Sequence, residues 1–208
     1  MTEFADNSSG MITAIKRPQR PEFIAMATVL MATIALSIDV MLPALGEMAT
    51  EFGVESNQRQ LVIVVLFIGL AAGQLVFGPL SDSVGRRPAI TLGAILFAIG
   101  GLVCAVASTF EVLIAGRLLQ GIGAAGPRIV TVALIRDRFK GAAMARVMSI
   151  IMGIFIMVPV LAPSLGQFLL LVMPWRGLFV LLSVVCMSGT VWLLIRQPET
   201  LAEKQPFR

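Results

Sequence analysis

A chain of 208 residues that is 57% hydrophobic and 13% charged, with a mean hydropathy of +0.92, lies outside the composition of a soluble domain and reads as a membrane protein. Its formal net charge of +4 does not point to nucleic acid, because Lys and Arg are scattered between apolar runs rather than gathered on one soluble face. With no histidine, and no zinc-protease, nucleophile-elbow or Walker motif, the usual routes to metal, nucleophilic or nucleotide-driven catalysis are missing, so neither enzyme activity nor a cofactor is expected.

In chain order, a mostly polar segment, residues 1–21, precedes the first apolar run and is expected to be a tail. The run behind it is too long for a cleaved signal sequence and is read as a retained helix. An α-helix rises about 1.5 Å per residue, so roughly 20 apolar residues cross the hydrocarbon core. Six runs qualify: 23–45, 61–80, 89–107, 112–135, 147–172 and 177–195. Runs of this length, lacking the alternation of barrel strands, satisfy their backbone in lipid only as helices. The fold class is therefore all-α, a polytopic membrane protein with six transmembrane helices in one bundle over 22–196, and 197–208 opening a loop. Cys104 and Cys186 sit inside spans and read as small core residues.

Ionisable groups inside a span cost roughly 2.5 to 3.5 kcal/mol at mid-bilayer and so attract a functional reading. Asp39 in the first span and Arg117 in the fourth lie at equal depth, about 8 to 9 Å below one surface, which permits pairing. Such a couple would weaken when Asp39 takes a proton, giving a proton-dependent switch; a static ion pair joining two helices is the alternative. Arg128 follows Arg117 by close to three turns and either lines the same aqueous cavity or snorkels to the headgroups. Between spans two and three, Gly78-Pro-Leu-Ser-Asp82-Ser-Val-Gly85-Arg86-Arg87-Pro88 concentrates charge. There Gly85 can take a positive φ, and Asp82 is within reach of Arg86 and Arg87. The stretch is either a hydrogen-bonded clasp or a solvated turn.

Gly121-Ile-Gly123-Ala-Ala-Gly126 spells a dinucleotide fingerprint but follows no strand, so close helix packing is the expected role, as for Gly69 to Gly73. Pro127 in span four, and Pro159 with Pro163 and Gly166 in span five, favour helix bends. Met148, Met152, Phe155 and Met157 offer either an adaptable apolar surface or ordinary packing. With the N-terminus inside, that side holds Lys16, Arg17, Arg20, Arg86, Arg87, Arg136, Arg138, Lys140, Arg146, Arg196, Lys204 and Arg208, against Arg59 and Arg176 opposite. The positive-inside rule then puts both termini in the cytoplasm. Trp175 and Trp192 fall near opposite interfaces.

The Gly78–Pro88 stretch closely resembles the G-x-x-x-D-x-x-G-R-[RK] signature between helices two and three of the major facilitator superfamily. Further residues sharpen the likeness over about 22–201: Asp39-Val-Met-Leu-Pro43, Gly73-Gln74, Arg117-Leu-Leu-Gln120-Gly121, Arg136-Asp137, Trp175-Arg176 and Pro198-Glu-Thr-Leu201. Together they resemble the bicyclomycin and chloramphenicol resistance branch of the drug:proton antiporters. That resemblance implies a gating role for Gly78, Asp82, Gly85, Arg86 and Arg87. It implies proton and substrate coupling around Asp39, Arg117, Gln120 and Arg128, bent helices beside the cavity, and residence in a bacterial inner membrane. The expected partners are a small-molecule substrate, protons and the lipid bilayer, with no nucleic acid. The superfamily fold has two such bundles with substrate held between them. The chain is thus expected to supply the N-terminal half, completed by a C-terminal half, a separate chain or a second copy. The competing expectation is a truncated or partner-dependent scaffold that transports nothing by itself.

Overall fold

Apolar length dictates helices, and the computed structural model, which describes residues 20–55 and 57–201, contains them. In order they are α1 (Arg20–Asp39), α2 (Leu45–Phe52), α3 (Leu61–Ser83), α4 (Arg86–Ala105), α5 (Phe110–Arg138), α6 (Gly141–Leu170) and α7 (Trp175–Arg196). Among the described residues, six helical segments are long and apolar enough to cross a membrane, with α1 and α2 together forming the first. Most of the expected tail lies outside the described residues, as do Lys16, Arg17, Lys204 and Arg208, which entered the orientation count.

The first span differs from the single helix expected over 23–45. α1 stops at Asp39, a 3-10 turn covers Leu42–Ala44, and α2 carries the helix on to Phe52. Pro43 is the cause: it has no N–H to give to the Asp39 carbonyl four residues back. Gly53, at φ 64°, then ends α2 in a left-handed cap. The fifth span starts six residues earlier than its apolar run, because the helix continues through Gly141-Ala-Ala-Met-Ala-Arg146.

The chain runs up and down, so two ends can be told apart. Residues 20 and 201 and the α3–α4 turn mark the charged end; α2 and the α4–α5 and α6–α7 turns mark the far end. Helix α5 is the central post, packed along α3 on one side and α4 on the other. Small residues set that closeness: a Cβ on Gly73 would stand 2.5 Å from the Ile122 carbonyl oxygen, and one on Gly93 would stand 2.7 Å from the Cα of Gly126. The glycines of the Gly121–Gly126 run thus serve packing, Gly121 against Leu66 and Gly123 against Phe97. One apolar core fills the far half, including Met41, Met48, Trp175 and Phe179. A second fills the charged half, including Phe23, Ile90, Leu134 and Leu193.

Candidate functional site

The turn between α3 and α4 is a network, not a solvated loop. Gly85 has φ 114° and ψ 162°, a backbone that only glycine adopts without strain, and it brings Arg86 to the first position of α4. Arg86 is 8% exposed. Its NH1 donates to Asp82 Oδ1 at 2.6 Å and to Ser81 Oγ at 2.9 Å, and its Nε donates to Asp137 Oδ2 at 3.0 Å. One guanidinium therefore joins the end of α3, the start of α4 and the end of α5.

Arg87 does not join Asp82. Adjacent residues on a helix point about 100° apart, and its NH2 instead donates to the Leu194 carbonyl of α7 at 2.6 Å. Gly78 faces open space, and a Cβ there would meet nothing within 4 Å.

Glu199 completes the turn from the irregular segment that follows α7. Its Oε1 accepts from the Arg86 backbone N–H and its Oε2 from that of Arg87, each at 3.0 Å. These are two of the unpaired donors at the start of α4, so a residue more than a hundred positions away caps that helix. The Thr200 and Leu201 N–H groups donate to the same carboxylate. Thr200 Oγ1 also donates to Asp137 Oδ2 at 3.0 Å. Burial alone would raise the Glu199 carboxyl. The backbone donors of Arg87, Leu201, Arg86 and Thr200 outweigh it and hold it below its ordinary 4.5.

Deeper in the bundle, Arg117 is fully buried. Its NH1 donates to the Ser37 carbonyl and to Gln120 Oε1, both at 3.1 Å, and its Cζ lies 4.6 Å from the centre of the Phe179 ring. Among the described residues, Arg117 Nε and NH2, and Gln120 Nε2, have no hydrogen-bond partner.

The expected ion pair with Asp39 is absent: among the described residues no ion pair joins Asp39 to Arg117. The reason lies in α1, where the fully buried Ser37 faces α5 while Asp39, two residues on and about 200° round the helix, is only half-buried at the break before Pro43.

Arg128 and Arg117 do not share a cavity either. Arg128 lines a cleft of about 570 Å³ at the charged end, with Gln74, Gly78, Asp82, Arg86 and Arg136. Its guanidinium lies 6.0 Å from the Phe155 ring.

The remaining sequence candidates have packing contacts. α5 runs through Pro127, and α6 through Pro159 and Pro163, without leaving the helix. Pro127 rests against Gly93, while Gly166 lets α6 sit directly on the Val40 carbonyl and the Pro43 ring. Met148, Met152 and Phe155 pack on the core of the charged half, whereas Met157 is 51% exposed.

The sequence marks Glu199 and Asp137 only within a likeness and Trp175 as an interfacial indole, and it offers no signal for Ser81 or Phe179. The polar contacts of these residues join positions 5 to 124 apart, which no local pattern encodes.

Comparison with known proteins agrees with this architecture. A family model described as Major Facilitator Superfamily matches residues 26–208. Over 187 residues the chain is 34% identical to the multidrug resistance protein MdtL of Salmonella paratyphi C, a match covering 89% of this chain and 46% of that protein. It is 33% identical to MdtL of Salmonella typhimurium with the same coverage. The chain spans about half the length of the curated relatives it matches. Among solved structures, the fold is similar to the proton:xylose symporter XylE, with TM-score 0.76, 17% identity, and 86% of this chain against 45% of that one. It is also similar to the human organic anion transporter MFSD10, with TM-score 0.66, 21% identity, and 91% against 51%.

Proposed function

The chain belongs to the major facilitator superfamily, and from that membership we propose that it forms one six-helix bundle of a proton-coupled exporter of drugs or other small hydrophobic molecules. The likeness to multidrug resistance proteins supports the substrate class. The observation that carries the reading is Arg117, a fully buried cation on the central helix that, among the described residues, has two donor nitrogens unmatched and no ion-pair partner. Holding such a charge in a low dielectric is costly, so any state that brings an anion to it is favoured.

Asp39 lies two residues beyond Ser37, whose carbonyl Arg117 already holds. In this reading a proton on Asp39 cancels the attraction and frees the donors of Arg117 and Gln120 for substrate; loss of the proton restores it. Proton and drug would then use the same site in alternation, the requirement for antiport.

The Arg86 network supports a second role. It ties α3, α4, α5 and the segment after α7 into one hydrogen-bonded corner beside the cleft, where a second bundle would meet the turn. We assign Gly78, Asp82, Gly85, Arg86 and Arg87 to gating on that ground, with the turn on the cytoplasmic side of a bacterial inner membrane.

The test is drug-induced proton movement in proteoliposomes holding this chain, alone and together with a second six-helix bundle from a related exporter. A drug added to acid-loaded vesicles is expected to release protons, and Asp39→Asn to lower that flux by at least about tenfold. Full flux from Asp39→Asn would end the coupling role. Absence of flux under both conditions would leave a membrane scaffold as the better reading.

A further inference from the structure

At the far end, α2 is clamped to the start of α7. Glu51 Oε1 meets Arg176 NH1 at 2.6 Å, and Glu51 Oε2 accepts from the Trp175 indole N–H at 2.8 Å. The Arg176 guanidinium also lies 4.2 Å from the centre of the Trp175 ring and donates to the Ala107 carbonyl. From this surface clamp a line of rings runs inward. Phe52 meets Trp175 edge-on at 5.9 Å, and Trp175 meets Phe179 edge-on at 6.0 Å with an interplanar angle of 78°. Phe179 in turn carries Arg117 on its face at 4.6 Å. Trp175 and Phe179 are four residues apart, one turn of α7, and both are at most 1% exposed.

We propose that Phe179 and Trp175 are positioning residues for Arg117, and that Glu51, through the Trp175 indole, couples the far-end helix α2 to that buried cation. The physical argument has two parts. Among the described residues, two donor nitrogens of Arg117 have no hydrogen-bond partner, so the ring beneath it is a main determinant of where its plane lies. The ring cannot shift independently of Trp175, because both are buried in one turn of one helix, and the indole is held by a charge-assisted hydrogen bond. Removing the Glu51 carboxylate frees the indole, loosens the Phe179 ring and lets the guanidinium move. By reciprocity, disturbing Arg117 changes the Trp175 environment. The meaning of this coupling for transport rests on the role proposed for Arg117, but its existence does not, and it is measured without transport.

The experiment is a double-variant cycle on the purified full chain in lipid nanodiscs, read as apparent unfolding midpoints. Glu51→Ala and Arg117→Lys are made singly and together; lysine keeps the charge but loses the flat face that rests on Phe179. Two sites separated by two rings would ordinarily add. The proposal expects the double variant to lose at least about 2 °C less than the sum of the singles. It expects this coupling to persist with Phe179→Tyr and vanish with Phe179→Leu. Additive midpoints in the otherwise unchanged chain overturn it, and so does coupling that survives Phe179→Leu.

If Phe179→Leu does not yield folded protein, a Trp192→Phe chain leaves Trp175 as its one indole. Arg117→Lys is then expected to shift the Trp175 emission maximum, and an unmoved maximum refutes the coupling. A working exporter with additive midpoints would remove only this inference. Coupled midpoints with no proton flux would remove only the transport reading.

Discussion

Gly85 and Glu199 are fitted to each other. A Cβ on Gly85 would stand 2.8 Å from Glu199 Oε2, and its φ of 114° already excludes a relaxed side chain. Gly85→Ala is therefore expected to lower stability by roughly 1 to 3 kcal/mol and to displace the Glu199 cap, measured as a lower unfolding midpoint. Because Glu199 titrates below 4.5 in the folded chain, its contribution is fully present above the ordinary carboxyl value and is lost as pH falls through the lower folded one. The midpoint gap between the native chain and Glu199→Gln should accordingly be constant between about pH 7 and 5.5 and close below about pH 4. A gap that widens toward acid would contradict the capping role. At this scale the sequence was informative about which residues are unusual and silent about their partners. Asp82, Arg86 and Gly85 stood out by charge density and spacing. That Arg87 turns to Leu194 while Glu199 takes the backbone donors follows only from the placing of α7 against α4.

Among the helices, glycine has two opposite roles, and the distances separate them. At Gly93 a methyl would meet the Gly126 Cα, the Pro127 ring and the Gly123 oxygen, all between 2.7 and 2.9 Å. Gly93→Ala is expected to force α4 from α5 and cost about 2 kcal/mol or more. Gly153, midway along α6, meets nothing within 4 Å, so Gly153→Ala is expected to gain about 1 kcal/mol from helix propensity. Unfolding midpoints of the two variants should move in opposite directions. The small-residue runs of α3 and α5 announced close packing without naming the neighbour, since apolar length fixes a helix but not its contacts. The break in the first span shows the other limit. The apolar run passes through the break without interruption as far as Leu45, and only Asp39 and Pro43 mark the place where α1 gives way.

For the molecule as a whole, the six spans were legible because lipid leaves the backbone no alternative to internal hydrogen bonds. The assembly of the buried site was not, because matching depths for Asp39 and Arg117 say nothing of azimuth, and Ser37 proved to be the residue turned toward α5. Sidedness is open to a direct measurement: single cysteines placed at Ser83 and Glu55 in a Cys104→Ser, Cys186→Ser background, labelled in sealed cells. A thiol at 55 is expected to react with a membrane-impermeant maleimide and one at 83 to react only after lysis; the reverse pattern would invert the proposed topology.

The carboxylate that closes the α3–α4 corner sits on the segment leading away from the bundle, past Gln197. Any polypeptide joined downstream of Leu201 consequently has mechanical purchase on that corner. A pull of a few ångströms on that segment would uncork the start of α4 and loosen Arg86 without touching a single membrane-embedded side chain.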